Sequence, residues 1–146
     1  MAQRLRQVTT EAGVRLLIGM DADLAERVGA DGVHLPERAL DRAALLARQR
    51  PDWLITGAAH GVLREAAEAE GLRALVVSPV FPPGGASASR PSLGLEGFRT
   101  RAGSAPCPVY ALGGIAAETA EMLMGSGACG IAGVASIQAA FGGIRT

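Results

Sequence analysis

Pro108-Val109-Tyr110-Ala111-Leu112-Gly113-Gly114-Ile115 and, after a short helical stretch, Gly127-Ala128-Cys129-Gly130-Ile131-Ala132-Gly133-Val134-Ala135-Ser136-Ile137 decide how this chain folds. Each is a short apolar run that enters glycine-rich backbone and then a helix start. A nearly continuous apolar run of this length is what a parallel strand covered on both faces requires. The glycines that follow leave backbone N–H groups at the turn, and successive N–H groups bind phosphate without any charged side chain. In a closed parallel barrel the phosphate site commonly follows strands seven and eight. Gly113, Gly114, Val134, Ala135 and Ser136 are therefore the candidate ligands of a phosphate-bearing small molecule.

The same beat runs through the rest of the chain. Strands are expected at Val14–Gly19, Gly32–Leu35, Trp53–Gly57, Ala74–Pro79, Val109–Gly113 and Cys129–Val134. Helices are expected at Ala2–Ala12, Asp21–Val28, Arg38–Gln49, Val62–Ala69, Leu95–Ala102 and Glu118–Met124. Val14 to Leu35 and Val109 to Val134 share a rhythm of strand, helix, glycine and strand, with Gly29 and Gly127 as expected helix C-caps. Right-handed crossovers wind such units into one curved parallel sheet. The class is α/β, and the expected architecture is a (β/α) barrel of the TIM type. A closed barrel has eight strands, so about six of the eight lie in this chain. An open six-stranded sheet is the alternative, with its ligand at a reversal of strand order.

Bulk properties bound the function. The 146 residues suit one domain, expected to span 1–146. Fourteen basic residues balance fourteen acidic ones, which gives no electrostatic case for nucleic acid or an anionic membrane. No apolar run approaches the roughly 20 residues of a spanning helix, and the amino terminus has no signal-peptide core. Cys107 and Cys129 lack metal-ligand or redox spacing and read as buried, reduced thiols, so a cytoplasmic location is expected. Trp53 is expected to seal the lower end of the barrel, Asp31 to serve stability there, and Met122 and Met124 to pack in the core. Arg4, Arg6, Arg38, Arg42, Arg48 and Arg50 read as surface charges.

Six motifs in order carry a family resemblance: Gly29-Ala-Asp-Gly-Val-His-Leu-Pro36, His60 with Leu63, Glu65 and Ala66, Ser78-Pro-Val-Phe-Pro82, Leu93-Gly-Leu-Glu-Gly97, Ala111-Leu-Gly-Gly-Ile115, and Gly127 to Ile137. From about Val14 onward the chain resembles the thiamine phosphate synthases and their TenI-like relatives. The resemblance implies a (β/α)8 barrel whose first two strands are absent from this chain. It implies a transferase of thiamine biosynthesis that joins hydroxymethylpyrimidine diphosphate to thiazole phosphate and releases pyrophosphate with Mg²⁺. A homodimer, or a partner chain, is expected to cover the open strand edges.

Several ligand positions depart from the family pattern. The Asn-Asp of the family falls on Gly19 and Met20, with Asp21 one place on as a possible metal substitute. The second metal carboxylate falls near Ala39, with Glu37 close by. A pyrimidine-contacting serine is Ala58, and the family's Thr-x-Thr-Lys is Pro83-Gly84-Gly85-Ala86, followed by Ser87, Ser89 and Arg90. Backbone-dominated phosphate elements remain. TenI-like thiazole tautomerases lack the metal site, use a histidine where His60 stands, and carry Leu-Pro where this chain has Leu35-Pro36. An imidazole suits that proton transfer. His60 is thus the candidate catalytic acid/base, His34 reads as a packed strand residue, and a non-catalytic phosphate-binding barrel remnant is a third reading.

Overall fold

The structure, a computed structural model, describes residues 1–61, 70–82, 91–134, 136, 137 and 139. The expected helix Val62–Ala69, the segment 83–90 and the candidate ligand Ala135 lie outside the described residues. The chain divides into two compact units. The first holds the described residues up to 58 together with 70–74, and the second holds 59–61 and the residues from 75 onward.

In the first unit, helix α1 (Ala2–Glu11) precedes β1 (Leu17–Gly19), α2 (Ala22–Val28), β2 (Gly32–Leu35), a 3-10 turn (Glu37–Arg42), α3 (Ala43–Gln49) and β3 (Leu54–Ala59, with Ala59 already in the second unit). Strands β1, β2 and β3 pair in parallel, with Gly19 opposite His34 and His34 opposite Thr56. Asp21 caps α2 through its carboxylate, which accepts from the Leu24 N–H at 2.8 Å. Gly29 ends that helix in the left-handed region at φ 63°, as expected. Val33, Leu35 and Ile55 are fully buried, and so is Ala43 of α3, with Leu40 and Leu46 nearly so.

The first strand begins three residues later than expected, because the Val14 N–H closes the end of α1 by donating to the Thr9 carbonyl at 2.8 Å. The expected helix Arg38–Gln49 is broken at Ala39, whose φ of −127° is not helical. Arg6 is not a surface charge. Its guanidinium and the Leu16 N–H both donate to the Asp31 carboxylate, so Asp31 ties α1 and the entry to β1 to the start of β2.

The second unit runs β4 (Ala74–Val77, with Ala74 still in the first unit), α4 (Gly94–Ser104), β5 (Val109–Leu112), α5 (Ala117–Ala120), a 3-10 turn (Glu121–Leu123) and β6 (Gly130–Ala132). Strands β4, β5 and β6 pair in parallel. Phe98 of α4 is fully buried with Leu75, Val80, Val109 and Ala111. Coverage of both strand faces does not extend to β5 and β6: Tyr110 and Ile131 are exposed at 38% and 52%. Met122 and Met124 are exposed rather than packed. The helical stretch ends in a 3-10 turn capped at Met124, so Gly127 (φ 90°) is a turn residue and not a helix cap. Cys107 is half-buried and Cys129 exposed, which corrects the expectation that both are buried.

Candidate functional site

The site elements of the second unit follow the strands. After β4 the chain runs through Ser78, Pro79, Val80 and Phe81, and this segment is stitched onto the end of β5. The Val80 N–H donates to the Leu112 carbonyl at 2.9 Å and the Phe81 N–H to the Gly113 carbonyl at 3.1 Å. Gly113 and Gly114 are glycines because that segment leaves them no room. A Cβ on Gly113 would stand 2.8 Å from the Pro79 Cα, and one on Gly114 would stand 2.7 Å from the Phe81 Cβ and 2.8 Å from the Pro82 carbonyl oxygen. Both also have positive φ, 101° and 62°, which L side chains seldom adopt.

The packing role of Gly113 and Gly114 was not legible in their spacing. Their N–H groups donate to none of the described residues. Thr119 holds the next turn: its hydroxyl donates to the Gly114 carbonyl at 3.0 Å and accepts from the Ala116 N–H at 2.8 Å. Val134 is exposed, and Ser136 Oγ lies over Gly133, 2.9 Å from where a Cβ would be.

His60 follows β3 and lies within the second unit. Its Nδ1 is 3.1 Å from the Ser78 carbonyl oxygen and 3.0 Å from the Ser78 Oγ. A carbonyl only accepts, so the Ser78 carbonyl selects the tautomer with the proton on Nδ1 and the basic lone pair on Nε2. Arg101 of α4 donates to the backbone carbonyls of His60 and Gly61, fixing the segment that carries the ring. Ser78 and Arg101 were not singled out from sequence. Ser78 sits in a quoted motif, but neither its partner nor that of Arg101 is visible without the fold. His34 is a packed strand residue, as expected. Its Nδ1 lies 2.9 Å from the Thr56 hydroxyl, and burial holds its imidazole below the ordinary histidine value.

The possible metal substitutes do not form a site. Asp21 spends its carboxylate on the α2 cap, and Glu37 opens the 3-10 turn after Pro36. Among the described residues no group of three acidic, histidine or cysteine side chains could hold a metal ion. The donor set among the described residues does not fit Mg²⁺. No helix among the described residues is long and apolar enough to cross a membrane.

Parallel strands alternating with helices, and glycine-rich loops at the carboxyl ends of those strands, define an α/β protein of the class that carries its sites on those loops. Residues 1–137 match the family described as thiamine monophosphate synthase. The chain is 34% identical over 135 residues to a putative thiamine-phosphate synthase 2 of Aquifex aeolicus, covering 92% of this chain and 72% of the relative. It is 36% identical over 130 residues to a thiamine-phosphate synthase of Azorhizobium caulinodans, covering 88% and 61%. The solved thiamine phosphate pyrophosphorylase from Pyrococcus furiosus superposes with a TM-score of 0.71 at 31% identity, over 91% of this chain and 63% of that one. A 3-hexulose-6-phosphate synthase, at 19% identity and a TM-score of 0.63, shares the fold alone. This chain belongs to the thiamine monophosphate synthase family. It spans about three-fifths to three-quarters of the length of these relatives.

Proposed function

We propose that this chain binds thiazole phosphate on the Gly113–Gly114 turn and the segment Val134, Ala135 and Ser136, and takes part in making thiamine phosphate. The observation that carries the reading is a pair of left-handed glycines, clamped against Pro79 and Phe81, whose N–H groups have no acceptor among the described residues. Backbone donors held this rigidly suit a phosphate, since they need no reorganisation when it arrives.

In the synthase reaction the thiazole nitrogen attacks the pyrimidine methylene, a C–N bond forms, and the C–O bond to the diphosphate breaks. The leaving diphosphate needs cations on its oxygens, and the described residues form no metal-holding group to supply one, so this step is the one the assay must test. A cytoplasmic location belongs to this reading, as does a second copy of the chain, or a partner chain, over the open strand edges. Sedimentation reports that copy as a dimer.

A second reading, thiazole phosphate tautomerisation, is favoured by the His60–Ser78 contact. With Nδ1 protonated, Nε2 takes a proton from the ring and returns it elsewhere, and this needs no metal. Calorimetric titration with thiazole phosphate, followed by incubation with hydroxymethylpyrimidine diphosphate and Mg²⁺, separates the readings. Binding with thiamine phosphate formed supports the synthase. Binding with only His60-dependent isomerisation supports the tautomerase, and binding without turnover supports the phosphate-binding remnant. Absence of binding refutes the proposal.

A further inference from the structure

At the amino-terminal ends of its strands, the first unit has an open cleft of about 570 Å³ lined by Arg15, Asp31, Arg50, Asp52, Trp53 and Arg73. A second hollow of about 350 Å³ shares Arg50, Trp53 and Arg73. The carboxylates in the wall are already engaged. Asp31 accepts from the Leu16 N–H and from Arg6, which lies outside the cleft, and its pKa is lowered first by that backbone N–H and then by Arg6. Asp52 accepts from Arg50 at 3.2 and 3.0 Å. Arg50 is engaged as well, since its remaining nitrogen meets Glu26 at 3.2 Å and its guanidinium stacks 4.5 Å over the Trp53 ring.

Arg15 and Arg73 are different. Neither side chain forms a hydrogen bond or ion pair with a described residue, and Arg15 reaches Asp31 only as the weakest of the influences on it. The Trp53 indole N–H is also buried without an acceptor. Among the described residues the wall holds three arginines, Arg15, Arg50 and Arg73, against two carboxylates, Asp31 and Asp52, and a concave basic surface concentrates anions more than a flat one does.

The two uncommitted guanidiniums stand apart. Arg15 precedes β1, while the Arg73 N–H donates to the Ile55 carbonyl, which puts Arg73 beyond β3. Neighbouring strands are about 4.8 Å apart, so roughly 10–14 Å of strand ends separate them. One phosphate does not span that gap. We propose that this cleft binds an elongated small molecule with anionic groups at both ends, of the oligophosphate class, one end in the fork of Arg15 and the other in that of Arg73. Asp31, Arg50 and Trp53 form the floor between them. This site lies wholly within the first unit and does not depend on the thiazole reading.

Trp53 is the only tryptophan of the chain, so its fluorescence reports this cleft and not the glycine loops. The experiment titrates inorganic tripolyphosphate into the full chain at low ionic strength, with orthophosphate as the short comparison. The expected result is saturable quenching or a spectral shift with tripolyphosphate, and at least tenfold weaker binding of orthophosphate. Arg15→Gln and Arg73→Gln are each expected to weaken tripolyphosphate about tenfold, while Arg99→Gln, an exposed pair partner in the second unit, leaves it unchanged. Circular dichroism checks that each variant is folded. No saturable response, equal affinity in the Arg15→Gln/Arg73→Gln double variant, or equal weakening by Arg99→Gln overturns the proposal.

Discussion

Replacing Gly114 by alanine separates conformational cost from collision. Gly114 has φ 62°, and its added Cβ would meet the Phe81 Cβ at 2.7 Å, the Pro82 oxygen at 2.8 Å and the Phe81 carbonyl carbon at 2.9 Å. Two of these atoms are backbone, held by the Phe81 bond to the Gly113 carbonyl, so they do not yield as a flexible side chain would. Holding alanine in the left-handed region costs about 1–2 kcal/mol. Forcing the neighbouring loop aside adds about 1–3 kcal/mol. Gly114→Ala is therefore expected to destabilise the chain by about 2–5 kcal/mol. Gly125→Ala is the matched control, because Gly125 has φ 70° and nothing within 4 Å of the added Cβ, leaving only the conformational cost of about 1–2 kcal/mol. Urea unfolding of both variants at constant m-value measures the difference. Equal losses in the two would refute the close packing of residues 79–82 on the glycine turn, and with it the rigid donor pair on which phosphate binding is argued. The packing argument also requires Gly114→Ala to weaken thiazole phosphate binding more than Gly125→Ala.

Other outcomes follow from single contacts. Met20 is the one described residue other than glycine with positive φ, 61°, and it is exposed, so Met20→Asn is expected to stabilise by about 0.5–1 kcal/mol in the same unfolding assay. Asp31→Asn removes charge-assisted bonds from Leu16 and Arg6 and is expected to cost about 1 kcal/mol at neutral pH, discounted for partial exposure. The folded Asp31 pKa is lowered, so its stabilisation is present above the unfolded carboxylate value near 3.8 and is lost as pH falls through the folded value. The difference between wild type and Asp31→Asn should then close in acid. His34 is also lowered, by burial, so the unfolded chain binds the proton more readily and stability falls as pH drops below about 6.5. His34→Gln should flatten that part of the profile, and an unchanged slope would place the dependence elsewhere. Ser78→Ala leaves the Ser78 carbonyl in place, so the His60 Nδ1–H tautomer should persist in nitrogen NMR shifts. A switch of tautomer would instead assign that control to the hydroxyl.

Much of the architecture was legible because it depends on local order along the chain. Apolar runs of four to six residues separated by amphipathic stretches announced six strands, and Gly29 announced its own helix end. Six ordered motifs carried the family. The misplacements have local causes that composition does not reveal: Val14 finishing a helix, Ala39 breaking one, and Met122 and Met124 falling on an exposed 3-10 turn.

The sequence by itself determined the alternation of strands and helices and the glycine-rich loops at their carboxyl ends. Hydrophobic period and glycine placement act on neighbours in the chain, so one dimension suffices to read them. Only the tertiary structure decided that Gly113 and Gly114 are packing residues against Pro79 and Phe81, that Ser78 and Arg101 hold His60, and that Arg15 and Arg73 form no hydrogen bond or ion pair with a described residue. The glycine and histidine contacts join residues 18 to 41 positions apart. Whether a donor is spent or uncommitted depends on which acceptor the fold brings within about 3 Å of it.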